Sequence, residues 1–492
     1  MDASEVLAEV GRLKKLLSGA MKKEDDRHAL ALISHIGFIL YQANLFYVDE
    51  DLEKCLGVIA ERTVRIDGNA PQGDQILFFD GFGYNDRGLI QVYMRALCAA
   101  YSVIYVTYLD RKDSVPDILR QVEEHQGLSL FIDRKKSWPD RIRELNGIIS
   151  RYQPRSIFCY ILPYDPVCPV VLTGCPSRIR KYMVNLTDHA FWIGASCCDR
   201  YIEFRDYGAR VSEKYRGIPR DKIVKILFYP MINREKEFQG FPFDRTGKTV
   251  VFSGGQLYKT FSKDRHYYIM VERMLQYRQD IVFWYAGSGD ASELIALKNR
   301  YPDRVYHTAE RTDLFQVLQN CDIYLSTYPV CGGLMFQYAA EAGVIPLTLK
   351  NGDISDGFLK EQDWLGIEFD NPDALMEKFG KLVSDPAYHA EQRKRICNAV
   401  VSEEEFGKRV GQLIDGSLGN GDICFGDIQT EDFRQVYLDR IDRNLLGSWM
   451  LNRDTFAFLL RKRPLWMVRA AVQRLAVEYK SRILPRIRRG RG

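Results

Sequence analysis

The chain has 492 residues, enough for two to four domains of about 100–200 residues each. Its composition, 46% apolar, 27% charged and 12% aromatic, is that of a folded globular protein and excludes disordered, collagen-like and small disulfide-scaffold classes. Basic and acidic residues nearly balance, 69 against 65 for a net charge of +4, so no overall field favours nucleic acid and no such partner is expected.

The charge is uneven. Residues 461–492 hold 11 Arg or Lys and one acid, Glu478. That tail carries +10 of the chain's +4, so the rest of the chain carries −6. The 11 cysteines form no C-x-x-C pair, which predicts reduced thiols in a cytoplasmic protein. Glu5, Glu9, Arg12, Lys14 and Lys15 interrupt any apolar core near the start, so no secretory signal is expected.

Residues 1–70 predict a helical module. Val6, Val10, Leu13 and Leu17 recur at helical spacing, and a third helix runs from Asp51 through Ile59. Between them, 29–48 is a 20-residue stretch without formal charge, long enough to span a bilayer. It also holds Ser34, His35, Gln42 and Asn44, which favours a buried soluble helix.

The pattern changes at residue 75. Strands are predicted at 75–80 (QILFFD), 103–108, 156–162, 182–186 and 201–204, with a helix at 89–100 and a charged helical stretch after 108. A Gly- and Pro-bearing linker, 238–245, precedes a second series of strands at 249–253, 281–286, 304–308, 322–327 and 344–349. Buried apolar strands alternating with helices imply two Rossmann-like, doubly wound α/β domains, assigned to 71–238 and 239–420. Residues 421–492 are expected as a helical tail. Ligands of such sheets bind at the strands' carboxyl ends.

Five motifs fall at strand ends. In 253–259 (SGGQLYK), Gly254 and Gly255 let backbone N–H groups approach an anion, Gln256 follows, and Lys259 adds a cation suited to phosphate. In 326–346, Gly332 and Gly333 open a helix, and Glu341 near its end is placed to accept from ribose hydroxyls. In 310–314 (ERTDL), Glu310 joins the donor side and Arg311 reaches for a phosphate. In 187–194 (TDHAFWIG), Asp188 and His189 offer an acid–imidazole pair for general-base or acceptor-binding work. In 80–88 (DGFGYNDRG), Gly81 and Gly83 form a turn on the acceptor side, with no dinucleotide fingerprint. No metalloprotease, nucleophile-elbow or P-loop motif is present in the sequence. The one D-x-D, Asp49 and Asp51, lies between helices, so neither metal nor cofactor is expected.

The tandem domains and the PVCGG…EAGVIP run together resemble a GT-B glycosyltransferase over roughly residues 75–415. The stretch 208–230 is similar to the last helix and strand of the first domain in bacterial polysaccharide glycosyltransferases. QLYK at 256–259 is similar to the donor-site stretch of protein O-GlcNAc transferases, which implies Lys259 as the diphosphate lysine. Retaining polysaccharide enzymes carry a Glu eight residues before the second Glu; that position is Gly333 here, and only Glu341 stands. The resemblance implies transfer from a nucleotide-diphosphate sugar, UDP-linked by expectation, to a hydroxyl of a glycan or lipid-linked glycan. His189 is then the base of an inverting reaction, or an acceptor- or phosphate-side ligand of a retaining one. A protein-modifying transferase, a nucleotide-sugar epimerase of the same fold and a non-catalytic binding module stay open beside that reading.

In the tail, Leu465, Val468, Val472, Leu475, Ala476, Tyr479 and Ile483 form one helical stripe with basic neighbours, the composition of a helix lying on an anionic membrane surface. Together with the absence of a signal, this predicts a cytoplasmic protein peripheral on the inner face of the membrane.

Overall fold

The computed structural model describes residues 3–479 except 86–87, 353–355, 429, 431–433, 435–436 and 439–442. Two parallel sheets dominate the described residues. The first contains β1 (Ile76–Asp80), β2 (Val103–Tyr108), β3 (Leu128–Ile132), β4 (Ser156–Tyr160), β5 (Arg180–Asn185), β6 (Arg200–Glu203) and β7 (Ile223–Lys225), in the order 3-2-1-4-5-6-7. The second contains β8 (Thr249–Gly254), β9 (Ile281–Ala286), β10 (Val305–Thr308), β11 (Ile323–Leu325), β12 (Ile345–Leu349) and β13 (Glu368–Phe369), in the order 10-9-8-11-12-13. The expected two-domain doubly wound α/β architecture is therefore present.

The strand sequences explain both covered faces. In β1, Ile76 and Phe78 enter one core while Leu77 and Phe79 enter the other, as a period of two requires. One expectation needs correction: β3 (LSLFI) lies inside the region read as charged helix. It is an edge strand, half-buried for most of its length, so it lacks the continuous apolar run of the central strands.

Helices α1 (Ala3–Lys22), α2 (Asp26–Ala43) and α3 (Glu50–Thr63) share the core on one face of the first sheet with Leu446, Leu459 and Met467 from the other end of the chain. The 29–48 stretch is thus a core helix and its continuation. No helix among the described residues is long and apolar enough to cross a membrane. Its polar residues are used internally. His35 is completely buried between the Trp449 carbonyl (Nε2 to O, 2.9 Å) and the Thr455 hydroxyl (2.8 Å). Burial lowers its pKa to about 4, so the ring joins the two ends of the chain as a neutral group. Asn44 caps α2 in the left-handed region and bonds forward to the 189–191 loop.

The linker is anchored by its aromatics. Phe241 and Phe243 pack on Trp284 (5.8 and 6.1 Å between centroids), and Phe243 on Tyr306 (4.6 Å). After the second sheet the helix Glu403–Asp415 returns to the first domain. There Phe406 meets Tyr93 edge-on at 5.0 Å, and Glu403 pairs with Arg95 at 3.2 Å.

Candidate functional site

In each sheet the chain reverses its direction of winding once, between β1 and β4 and between β8 and β11. Those switch points open a crevice at the strands' carboxyl ends, where doubly wound domains bind ligands. A cleft of about 1420 Å³ lies there, lined by residues of both domains.

On the second-domain side, the loops after β8 and β11 are tied together by the Val330 N–H donating to the Lys259 carbonyl at 3.3 Å. Gly255 has φ 124°, reserved for glycine, and its N–H donates to the Ala286 carbonyl at 3.0 Å. Leu257–Thr260 is a single 3-10 turn that carries Lys259 to the cleft wall. Gly332 and Gly333 begin the helix Gly333–Glu341, whose first N–H groups have no partner within the helix. Between the turn and the helix sits Cys331. Burial pushes its thiol up to about 12, with the Arg205 and Lys259 charges opposing the rise. Two cations therefore stand within electrostatic reach of the residue beside the helix start.

The cleft wall includes the expected Gly255, Gln256, Lys259, Glu310, Arg311, Gly332 and Gly333. Gly254 ends β8 behind the wall. The Gln256 amide donates to Ser288 Oγ (2.9 Å) and to Glu310, whose carboxylate also accepts from Ser288 Oγ at 2.7 Å. Arg311 lies at the wall with its guanidinium already engaged. It forms a fork with Asp313 (2.7 Å on both arms), donates to the Gly240 carbonyl at 3.2 Å and stands 5.2 Å from the Trp284 ring. In this conformation it fastens the linker. Glu341 is outside the cleft lining, and its carboxylate pairs with Arg234.

Gly333 has a structural reason to be glycine. A Cβ there would lie 2.1 Å from Phe358 Cε1 and 2.3 Å from Cδ1. At the position where the sequence resemblance would expect a retaining enzyme's first Glu, a side chain would run into the ring of Phe358. Gly333→Glu is expected to cost about 1–3 kcal/mol through overpacking, and to cost less in a Phe358→Ala background than in the wild type, although Phe358→Ala is itself destabilising. Thermal unfolding of the single and double variants checks this; an unchanged melting temperature for Gly333→Glu would contradict the overlap.

On the first-domain side, β5 delivers Asp188 and His189 to the cleft. His189 Nδ1 is 3.2 Å from Asp188 Oδ1, and the ring is about one-third exposed (32%). Asp188 is buried and takes both arms of Arg205, at 2.6 and 3.2 Å. Burial opposes its ionisation, but the Arg205 charge and the hydrogen bonds from His189 and Arg205 outweigh that and hold its carboxyl well below the usual range. The loop is fixed from behind: Asn44 Nδ2 donates to the His189 carbonyl at 2.9 Å, and Arg216 donates to the Asp188 and Ala190 carbonyls at 2.9 and 2.8 Å.

Gly81 and Gly83 shape their turn without lining the cleft. Buried Asp80 accepts from the Phe82 and Gly83 N–H groups at 3.0 and 2.9 Å, and a Cβ on Gly83 would meet Arg111 Cβ at 2.5 Å. The turn presents Phe82 to the cleft, stacked on Tyr160 at 4.4 Å. Asp86 and Arg87 of this motif lie outside the described residues.

Arg205 was not singled out in the sequence. It follows β6, stacks on Phe358 of the second domain at 4.3 Å and donates to the Asp356 carbonyl at 2.9 Å. The same guanidinium therefore holds Asp188 in one domain and the ring beside Gly333 in the other. Among the described residues one carboxylate trio, Asp356, Asp363 and Glu368, has the spacing of a cation site, and none of the three lines the cleft.

The sequence matches no protein-family model and no curated protein. Solved structures do resemble it. An O-GlcNAc transferase mutant from Thermobaculum terrenum is 15% identical with a TM-score of 0.50, covering 87% of this chain and 82% of its own. Anabaena HepE in complex with UDP-glucose is 12% identical with a TM-score of 0.51, covering 70% and 99%. With the two switch-point sheets, these likenesses give the chain the GT-B fold.

Proposed function

We propose that the protein is a glycosyltransferase that moves a sugar from a nucleotide-diphosphate sugar to an acceptor hydroxyl, without metal assistance. The observation that carries the reading is the meeting, at one cleft, of Lys259 and the Gly332–Gly333 helix start with the Asp188–His189 pair. A cation and unpaired helix N–H groups suit a diphosphate whose charge grows as its bond to the sugar breaks. An imidazole oriented by an ionised carboxylate suits proton removal from a hydroxyl.

The solved HepE complex, which holds UDP-glucose on the same fold, supports a UDP-sugar as donor. A glycan or lipid-linked glycan is the proposed acceptor class. In this reading the transfer inverts the anomeric carbon. With Nδ1–H donated to Asp188, His189 Nε2 carries the lone pair that takes the acceptor's proton. The acceptor oxygen bonds to the anomeric carbon, the bond from that carbon to the diphosphate breaks, and the nucleoside diphosphate leaves toward Lys259. Phe358 over Gly333, where retaining enzymes place a carboxylate, favours this course over retention.

The test is a thermal-shift series against UDP-, GDP-, dTDP- and CMP-sugars, with and without EDTA. A ligand that binds only the folded state raises the melting temperature, by about 2.7 kcal/mol of stability at a hundredfold excess over its Kd. The expected result is a shift with a UDP-sugar that EDTA leaves unchanged. No shift with any of the four, or one abolished by EDTA, would overturn the proposed donor site. Conversion of the donor to its epimer in the absence of acceptor would replace transfer with epimerisation.

A further inference from the structure

We propose that the helix Pro464–Glu478 docks the protein on an anionic lipid bilayer, a surface role beyond the sugar transfer proposed above. Leu465, Val468, Val472, Leu475 and Tyr479 recur at alternating steps of three and four, which places them on one side of a helix. All five are exposed, by between 48% and 85% of their surface. The helix is nevertheless attached to the body. Met467 and Ala470, on its other side, are almost fully buried in the core that contains Leu446 and Met450. The fold thus consumes one face and leaves the more apolar one to solvent. Phe456 and Leu460, one turn apart on the preceding helix Arg453–Lys462, are also exposed. Scattered apolar residues on a surface are ordinary, but five in register on one helix mark a docking face.

Charge selects the occupant. Arg461, Lys462, Arg463 and Arg469 are exposed at the start and flank of this helix, while Arg474, on its opposite side, pairs with Glu478 at 3.3 Å and Glu5 and Glu9 of the first helix line a cavity with Arg469. Within 461–492 Glu478 is the single acid. Ile483 of the expected stripe and a further six basic residues between 480 and 492 lie outside the described residues but add to the tail's charge. Two copies meeting through this face would bring +10 against +10. An anionic headgroup layer is complementary to it, and repels the remainder of the chain at −6, which orients the protein tail-first. Since no described helix is suited to crossing a membrane, the docking is to the surface, with the stripe at the headgroup–acyl boundary.

The experiment uses the full chain and no sugar donor, so its failure is separate from failure of the transferase reading. Sedimentation is measured with vesicles of phosphatidylcholine and phosphatidylglycerol at about 7:3, and with phosphatidylcholine alone. Binding is expected only to the mixed vesicles, weakening as salt rises. Val472→Glu with Leu475→Glu, at exposed positions, is expected to reduce binding at least ~10-fold with the melting temperature unchanged. No binding to mixed vesicles overturns the proposal. So does binding undiminished by the double variant, which would assign the attraction to the basic residues alone. A dimer in sedimentation equilibrium that the double variant abolishes also overturns it, and gives the stripe to a second copy.

Discussion

Lys259→Ala is expected to weaken nucleotide-sugar binding about 10- to 100-fold and to slow transfer about 10²- to 10³-fold, with the fold intact. The size follows from where the side chain sits. Lys259 is on the 3-10 turn of the loop after β8, which its own carbonyl ties to the loop after β11, and it lines the same cleft as the Gly332–Gly333 helix start. In the proposed donor site its ammonium would face a diphosphate placed on that helix start. Charge-assisted hydrogen bonds are about twice as strong as neutral ones, and the charge they meet grows in the transition state. The rate should therefore fall more than the affinity. Lys259→Arg should keep most of the affinity, since charge is retained, and lose more of the rate, since the planar fork differs from a point charge. Lys236→Ala controls for the loss of one positive charge from the same cleft; its ammonium donates to the Thr312 carbonyl at 2.8 Å. Isothermal titration with UDP-glucose and a turnover assay read both quantities. Equal affinity in wild type and Lys259→Ala would remove the lysine from the donor site.

The sheets were legible because central parallel strands are buried on both faces, so β1, β2, β4 and β9 appear as unbroken apolar runs. Strands β3 and β13 were not, being a half-buried edge and a two-residue pairing. The motif loops were legible for a related reason: glycines directly after a buried strand mark where the backbone must turn at the carboxyl edge. Side-chain assignments beyond those loops fared differently. Glu341 was placed on ribose because it shares a helix with Gly333, yet eight residues at 1.5 Å rise carry it about 12 Å from the helix start. There it meets Arg234. Arg311 was assigned to phosphate without weighing Asp313, two residues on, which takes both arms of its guanidinium. Arg205 could not be found, since its partners stand 17 and 153 positions away and only the packed domains bring them together.

Arg205→Ala is expected to destabilise the protein by about 3–5 kcal/mol at neutral pH. Both members of the Asp188–Arg205 pair are almost fully buried, at 1% and 3% exposure, so solvent does not screen what is lost. Removing the guanidinium strands a buried carboxylate and strips the cation from the faces of Phe358 and Tyr207, at 4.3 and 4.6 Å. The pH dependence has a definite sign. Because Asp188 is held well below the usual carboxylate value, its stabilisation is fully present above about pH 4 and is lost as pH falls toward the folded-state value. In the variant the same carboxyl, buried without its partner, takes up a proton more readily. The gap between wild type and variant should therefore be widest near pH 7.5 and narrow on acidification. Urea unfolding at pH 7.5 and pH 4 measures it, and equal stability at pH 7.5 would refute the assignment. A second chain, Asp188→Leu with Arg205→Met, separates structure from chemistry. Replacing both charges by apolar groups is expected to restore most of the stability. It is not expected to restore turnover, because His189 would have lost the carboxylate that fixes its tautomer and the Gly333 side of the cleft its tie to the first domain. Recovery of turnover along with stability would show that turnover needs neither an acid behind His189 nor the Arg205 tie between the domains.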